Sequence, residues 1–116
     1  HAKTWAQFEP LPEADHNSLA GLVRPEGALL QMMALFLSAP SNHPRSQLRL
    51  ELTRRMFLTQ GINTDLLFAK GESSMAHIWS LVVLGDYTSY YLAAACGEDP
   101  APVDALEMFE LELKSK

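Results

Sequence analysis

The sequence predicts an α/β fold, and three observations carry that expectation. Two short apolar runs, residues 28–39 and 62–70, flank a stretch of helical spacing from about Pro44 to Gln60, and strands joined through a helix pair in parallel. The longest apolar stretch, Ile78 to Cys96, is apolar nearly all the way round at helical spacing, which marks a helix enclosed by protein on most sides. Two strands are too few for a doubly covered sheet, so further strands are expected upstream or from a partner, and the fold is expected to be incomplete in this chain.

Taken in order, Trp5 and Phe8 stand at helical spacing and read as the last turns of a helix, ended by Pro10 and Pro12. Asp15, Asn17 or Ser18 can cap a short helix that Pro25-Glu-Gly27 stops, which sets His16 at a loop-to-helix junction. Residues 28–39 have almost no polar face and suit a strand buried on both sides or a buried helix. The turn Pro40-Ser-Asn-His-Pro44 that follows favours the strand. From Pro44 to Gln60, Leu48, Leu50, Leu52, Met56, Phe57 and Leu58 make one broad apolar side, with Arg45, Arg49, Arg54 and Arg55 on the other as a solvated face. Pro44 suits the first turn and Gly61 the end.

Residues 62–70 read as the second strand. Ser73 or Ser74 caps the long helix; Gly97 gives its left-handed cap, and Pro100 and Pro102 keep it from resuming. Within that helix Gly85, Ser89 and Ala93 recur at i, i+4 and i+8, a ridge of small side chains that lets another helix approach. A last helix, from about Pro102 to Lys114, is expected to bury Val103, Leu106, Phe109 and Leu113.

Composition bounds the function. The chain has 116 residues, 47% hydrophobic and 20% charged, with a formal net charge of -5, which suits one soluble domain. An acidic protein repels phosphate over most of its surface, so neither nucleic acid nor an anionic membrane is the expected partner. The apolar helix is too punctuated by Gly, Asp, Thr and Ser for a membrane span, and no signal peptide is visible. One cysteine, Cys96, forms no internal disulfide, which fits a cytoplasmic setting. Its place in the apolar run makes it a small core residue. The chain begins at His1, not at a methionine, and is expected to be a processed product or a piece of something longer.

Searched by residue type, the sequence holds no Cys/His set at zinc spacing, no Gly-rich phosphate loop and no nucleophile elbow, so no metal or cofactor is expected. What remains is His16, with Glu13 and Asp15 close by, and a C-terminal helix bearing Glu107, Glu110, Glu112 and Lys114. Histidine titrates near neutral pH, which makes His16 a candidate general acid or base. A histidine that only hydrogen-bonds at a turn is the plainer reading of the same spacing. His43 lies in a turn, and His77 in the first turns of the long helix faces solvent or packs.

Gly85-Asp-Tyr-Thr-Ser-Tyr-Tyr-Leu-Ala93, followed by Cys96-Gly-Glu-Asp-Pro-Ala-Pro-Val103, resembles the closing segment of the bifunctional phosphoglucose/phosphomannose isomerases, whose C-terminal half is a sugar isomerase (SIS) domain. Pro12-Glu-Ala-Asp-His16-Asn17 is similar to a second block of that family, and Ala2-Lys3 to the end of a third. The blocks stand in the family's order and span essentially the whole chain. The resemblance implies a three-layer αβα SIS-type fold with a parallel sheet, residues 1–116 being the C-terminal part of a phosphosugar isomerase SIS domain. It also implies a homodimer, an N-terminal SIS domain of the same protein as partner, and a sugar phosphate as ligand. The phosphate-binding serines and threonines would belong to that N-terminal domain.

The implied reaction interconverts aldose and ketose 6-phosphates: the ring opens, then a proton moves between neighbouring carbons through an enediol. The family's ring-opening histidine falls on His16. Its carboxylate base would lie immediately ahead of His1. Its lysine falls on Glu110, a departure, since a carboxylate does not replace an ammonium without a large pKa shift. Lys114, one turn further on the same face, is the candidate replacement. Ser18 is a second departure, from a glutamate. Two alternatives stand beside the isomerase: a divergent relative that binds a phosphosugar or mediates dimerisation without turnover, favoured by Glu110, and a small helical interaction module that forms a stable dimer, favoured by the all-round apolar helix.

Overall fold

A computed structural model of the chain describes residues 6–16, 18–19, 27, 31–101 and 104–115. Two compact units divide it, Gln7–Leu81 and a second made of His1–Ala6 with Val82–Lys116. The first holds α1 (Glu13–His16), β1 (Met33–Ser38), α2 (Pro44–Thr59), β2 (Asn63–Phe68) and the opening turns of α3 (Ser74–Ala95). The second holds the remainder of α3 and α4 (Asp104–Lys114).

The strands pair in parallel, in register from Met33 beside Asn63 to Ser38 beside Phe68, and α2 is the crossover between them. The class is α/β, as the helix-separated apolar runs predict. One further bond, from the Ala69 N–H to the Ser38 carbonyl at 2.8 Å, carries the ladder past the strand ends. Alternation along β1 leaves Ala34, Phe36 and Ser38 half-buried and Met33, Leu35 and Leu37 exposed. The half-covered face meets α2, where Phe36 and Phe57 pack edge to face with centroids 5.6 Å apart. Such a pair contributes about 0.5–1.5 kcal/mol beyond the area it buries.

The helix ends follow their sequence signals. Pro44 opens α2, and His43 before it caps the helix, its Nδ1 accepting from the Arg45 N–H at 3.2 Å. Gly61, at φ +81°, closes it. There the Ile62 N–H donates to Phe57 O (3.1 Å) and the Gly61 N–H to Leu58 O (3.0 Å), the paired bonds of a Schellman ending. Gly97, at φ +76°, ends α3 in the same way, through Glu98 N–H to Ala93 O and Gly97 N–H to Ala94 O. At the start of α3, Ser73 is the cap, its hydroxyl accepting from the Ala76 N–H.

Burial departs from expectation. Within α3 only His77 and Ala93 are buried, whereas Trp79, Val82, Val83, Tyr87, Tyr90 and Tyr91 are exposed. The expected core helix is an apolar rod with most of its surface open. Cys96 at its end is exposed, not packed. The small-residue ridge is open at Gly85, where an added Cβ would meet nothing within 4 Å, and closed only at Ala93. On α4, Leu106, Phe109 and Leu113 form the expected stripe but stand exposed; Pro102 and Val103 lie outside the described residues. On α2 the inward face is narrower than the broad apolar side: Leu50 and Thr53 are buried and Phe57 half-buried, while Leu48, Leu52, Met56 and Leu58 are exposed. The strand over 28–39 is shorter than expected and covered on one face; residues 28–30 lie outside the described residues. The physical reason is common to all of these. Apolar periodicity records which surface gains by being covered, and burial needs an element to cover it.

The helix expected around Trp5 and Phe8 is absent over Ala6–Pro10, where no helix forms and Phe8 is 81% exposed; Trp5 and the Ala2-Lys3 block lie outside the described residues. Among the described residues no helix is long and apolar enough to cross a membrane.

Candidate active site

The region around His16 is built from a single helical turn. The Asp15 N–H donates to Pro12 O at 2.9 Å and the Ala14 N–H to Pro10 O at 3.1 Å, so α1 begins before the residues expected to cap a later helix. Asp15 lies inside the turn. Its Oδ1 accepts from the Thr53 hydroxyl at 2.6 Å, and its Oδ2 lies 3.9 Å from the Arg49 guanidinium. Ser18, the other candidate cap, donates its hydroxyl to Glu9. Asn17 and residues 20–26 lie outside the described residues. His16 is therefore the closing residue of a turn, not the opening residue of a helix.

Thr53 was not singled out by the sequence. The available signal is a polar residue three positions after Leu50 and four before Phe57, on the face that packs inward; a buried hydroxyl there needs a partner. Its partner is 38 residues away in α1.

A second cluster joins the turns that leave the two strands. His77 is 7% exposed. Its Nε2 lies 3.1 Å from the Gly71 carbonyl and its Nδ1 2.9 Å from the Ser41 hydroxyl. A carbonyl only accepts, so Nε2 carries a proton, and in the neutral ring Nδ1 accepts from Ser41. Ser80 adds a third tie, accepting from the Lys70 N–H at 2.8 Å and donating to His77 O at 2.9 Å. Beside them a shallow cleft of about 280 Å³ is lined by Ser38, Ser41, Asn42, Ser74 and His77 among others. It lies outside the carboxyl ends of the strands, where open α/β sheets present their crevice. With both ring nitrogens engaged, His77 braces the turns; of its two sequence readings, packing is the one realised.

Lys114 and Glu110 lie one turn apart on α4 in the second unit, with Nζ to Oε2 at 3.5 Å and both side chains more than two-thirds exposed. His16 belongs to the first unit and Lys114 to the second. No group of three or more His, Cys, Asp or Glu side chains that could hold a metal ion occurs among the described residues.

Comparison with known proteins places these elements in a family. The family model of the bacterial phospho-glucose isomerase C-terminal SIS domain matches residues 1–113. The bifunctional phosphoglucose/phosphomannose isomerase of Caldicellulosiruptor bescii is 30% identical over 115 residues, 97% of this chain and 33% of that protein. Its namesake in Aquifex aeolicus is 33% identical over 114 residues, 98% of this chain and 35% of that protein. The namesake in Thermoplasma acidophilum is 33% identical over 72 residues, 62% of this chain and 22% of that protein. The chain thus spans about a third of the length of the first two relatives. No solved structure matches it. With a parallel α/β unit and a family match that runs nearly from end to end, the chain belongs to the bacterial phospho-glucose isomerase C-terminal SIS domain family.

Proposed function

We propose that this chain is the C-terminal SIS domain of a phosphosugar isomerase that interconverts glucose 6-phosphate or mannose 6-phosphate with fructose 6-phosphate. The observation that carries the reading is the family match over residues 1–113, within which His16 stands in the block Pro12-Glu-Ala-Asp-His16-Asn17. In this reading His16 shuttles the proton of ring opening: the anomeric hydroxyl loses a proton, the ring oxygen gains one, and the open-chain carbonyl forms. The carbon-bound proton then passes between C1 and C2 through an enediol, on a carboxylate supplied by the longer protein. Lys114 supplies the ammonium that the family pattern places at Glu110. The sugar phosphate is held with an N-terminal SIS domain of the same polypeptide, in a cytoplasmic homodimer, and no cofactor takes part.

The test is the full-length protein assayed with the three hexose 6-phosphates, wild type against His16→Ala and Lys114→Ala. Loss of about 10²-fold or more in kcat is expected for His16→Ala, the usual range for a general acid/base. Turnover unchanged by that substitution overturns the assignment of His16.

A second reading has its own observation. At the lysine position stands a carboxylate, Glu110, and the Lys114 ammonium lies 3.5 Å from it on an exposed helix face. That arrangement favours a divergent relative which binds a phosphosugar, or mediates dimerisation, without turnover. Phosphosugar binding or dimer formation by the full-length protein, with no interconversion of any of the three sugars, would select it.

A further inference from the structure

We propose that Thr53, with Arg49 in support, is a positioning residue for His16, acting through Asp15. The inference rests on the assignment of His16 as the ring-opening residue. It begins from the size of α1, which is a single turn of four residues. A turn that short is not stable by itself, because nucleation fixes several dihedrals for one hydrogen bond. Among the described residues its backbone bonds, to Pro10 O, to Pro12 O and from Leu19 N–H to Ala14 O, are local. They close the turn without fixing it to the sheet unit.

The tie to the unit is Asp15. Its carboxylate meets Thr53 at 2.6 Å and Arg49 at 3.9 Å, and these contacts differ in weight. Arg49 is 45% exposed, so water screens the pair and its share is small. Thr53 is 3% exposed and the Asp15 side chain 22%, and a hydroxyl donating to a largely covered carboxylate is a charge-assisted bond of the stronger kind. The hydroxyl is itself aimed. Thr53 is β-branched, with a restricted χ1 in a helix, and its Oγ1 also lies 2.8 Å from the Arg49 carbonyl. One proton is shared between the two acceptors.

The element behind it is rigid. Leu50 and Phe57, one turn to either side of Thr53, hold α2 on the sheet. Sheet, α2, Thr53, Asp15 and the backbone of His16 thus form one chain of contacts, in which Thr53 is the link between the packed framework and the short turn. Among the described residues, Asp15 is the residue of α1 whose side chain bonds α2.

The test uses the full-length protein with Thr53→Val, which keeps the shape and removes the hydroxyl, and Thr53→Ser, which restores it. Two readouts are needed. In kinetics with the hexose 6-phosphates, Thr53→Val lowers kcat about tenfold or more at nearly unchanged KM, since small misplacement of a catalytic group costs up to about 10²-fold. Thr53→Ser restores most of it, and Thr53→Val in a His16→Ala background causes no further loss. In NMR, the His16 ring resonances move in Thr53→Val and return in Thr53→Ser, while those of His43 stay. Unmoved His16 resonances, or equal losses from Thr53→Val with and without His16, overturn the proposal. Should Thr53→Val fold poorly, Asp15→Ala removes the same contact from the other side and carries the same expectations for kcat and for the His16 resonances. If the resonances move while His16→Ala leaves turnover intact, the catalytic assignment of His16 falls and the positioning contact stands.

Discussion

His77→Phe removes the brace between the two strand-exit turns while keeping the volume of the ring. Two hydrogen bonds are lost, Nε2 to the Gly71 carbonyl at 3.1 Å and Nδ1 to the Ser41 hydroxyl at 2.9 Å. The size of the loss is decided by what the abandoned partners do. Gly71 and Ser41 are both exposed, so water reaches the freed carbonyl and hydroxyl, and neither meets the full penalty of a buried unsatisfied group. Each bond then counts at its net value of about 0.5–1.5 kcal/mol, giving about 1–3 kcal/mol for the pair. Ser41→Ala behaves differently: it leaves Nδ1 of a buried ring without a partner, so it costs about 1–3 kcal/mol although only one bond is broken. In a His77→Phe background the same change costs almost nothing, and the double-mutant cycle gives a coupling of about 1 kcal/mol or more. Urea unfolding of the four proteins measures it, each midpoint multiplied by a common m-value. Strict additivity would refute the reasoning, since it would mean that Ser41 and His77 do not depend on one another.

Other perturbations separate causes that resemble each other in sequence. Gly61 and Gly71 both have positive φ, +81° and +117°, but a Cβ at Gly61 meets nothing within 4 Å whereas one at Gly71 lies 2.4 Å from the Ala76 Cβ. Gly61→Ala is expected to cost about 1 kcal/mol from the left-handed backbone alone, and Gly71→Ala at least about 2 kcal/mol by adding a clash with α3; urea midpoints rank them, and equal effects would contradict the geometry. Leu50→Ala empties a site 5% exposed between α2 and the sheet, with an expected loss of about 2–4 kcal/mol in the same assay. Lys114→Ala and Glu110→Ala each change stability by less than about 0.5 kcal/mol, because their ion pair is exposed and joins neighbouring turns; a loss of turnover in Lys114→Ala at unchanged thermal midpoint would then be chemical and not structural.

Local chemistry made most of the elements legible. Pro44 and Gly61 bracket α2, Ser73 and Gly97 bracket α3, and the helix between two apolar runs points to their parallel pairing. Each of these is decided within a few residues of chain. Burial is not. Trp79 and Tyr91 have the composition and spacing of core residues and are 59% and 64% exposed, because the pattern of α3 is a property of one helix and coverage is a property of several. The same limit explains α4, whose apolar stripe has the right period and stays exposed. Where one strand face is covered by α2, alternation reads correctly; on the opposite face Met33, Leu35 and Leu37 alternate as regularly and stay exposed.

The candidate site divides along the same line. His16 is a candidate on its type and its motif alone, and neither shows what its neighbour does. Asp15 reads in sequence as a capping acid or as a carboxylate beside a catalytic histidine, and both readings use only local chain. The fold commits it elsewhere, one oxygen to Thr53 and the other toward Arg49, contacts 38 and 34 residues distant along the chain. A carboxylate held in this way is a strut, and its removal should act through geometry. Asp15→Asn keeps an oxygen for the Thr53 hydroxyl while losing the charge that strengthens the bond, so its effect on turnover should fall between wild type and Asp15→Ala. If Asp15 instead served the histidine directly as a charge, Asn and Ala would be equally damaging. Comparing kcat for the two variants in the full-length protein therefore distinguishes a positioning carboxylate from an electrostatic one.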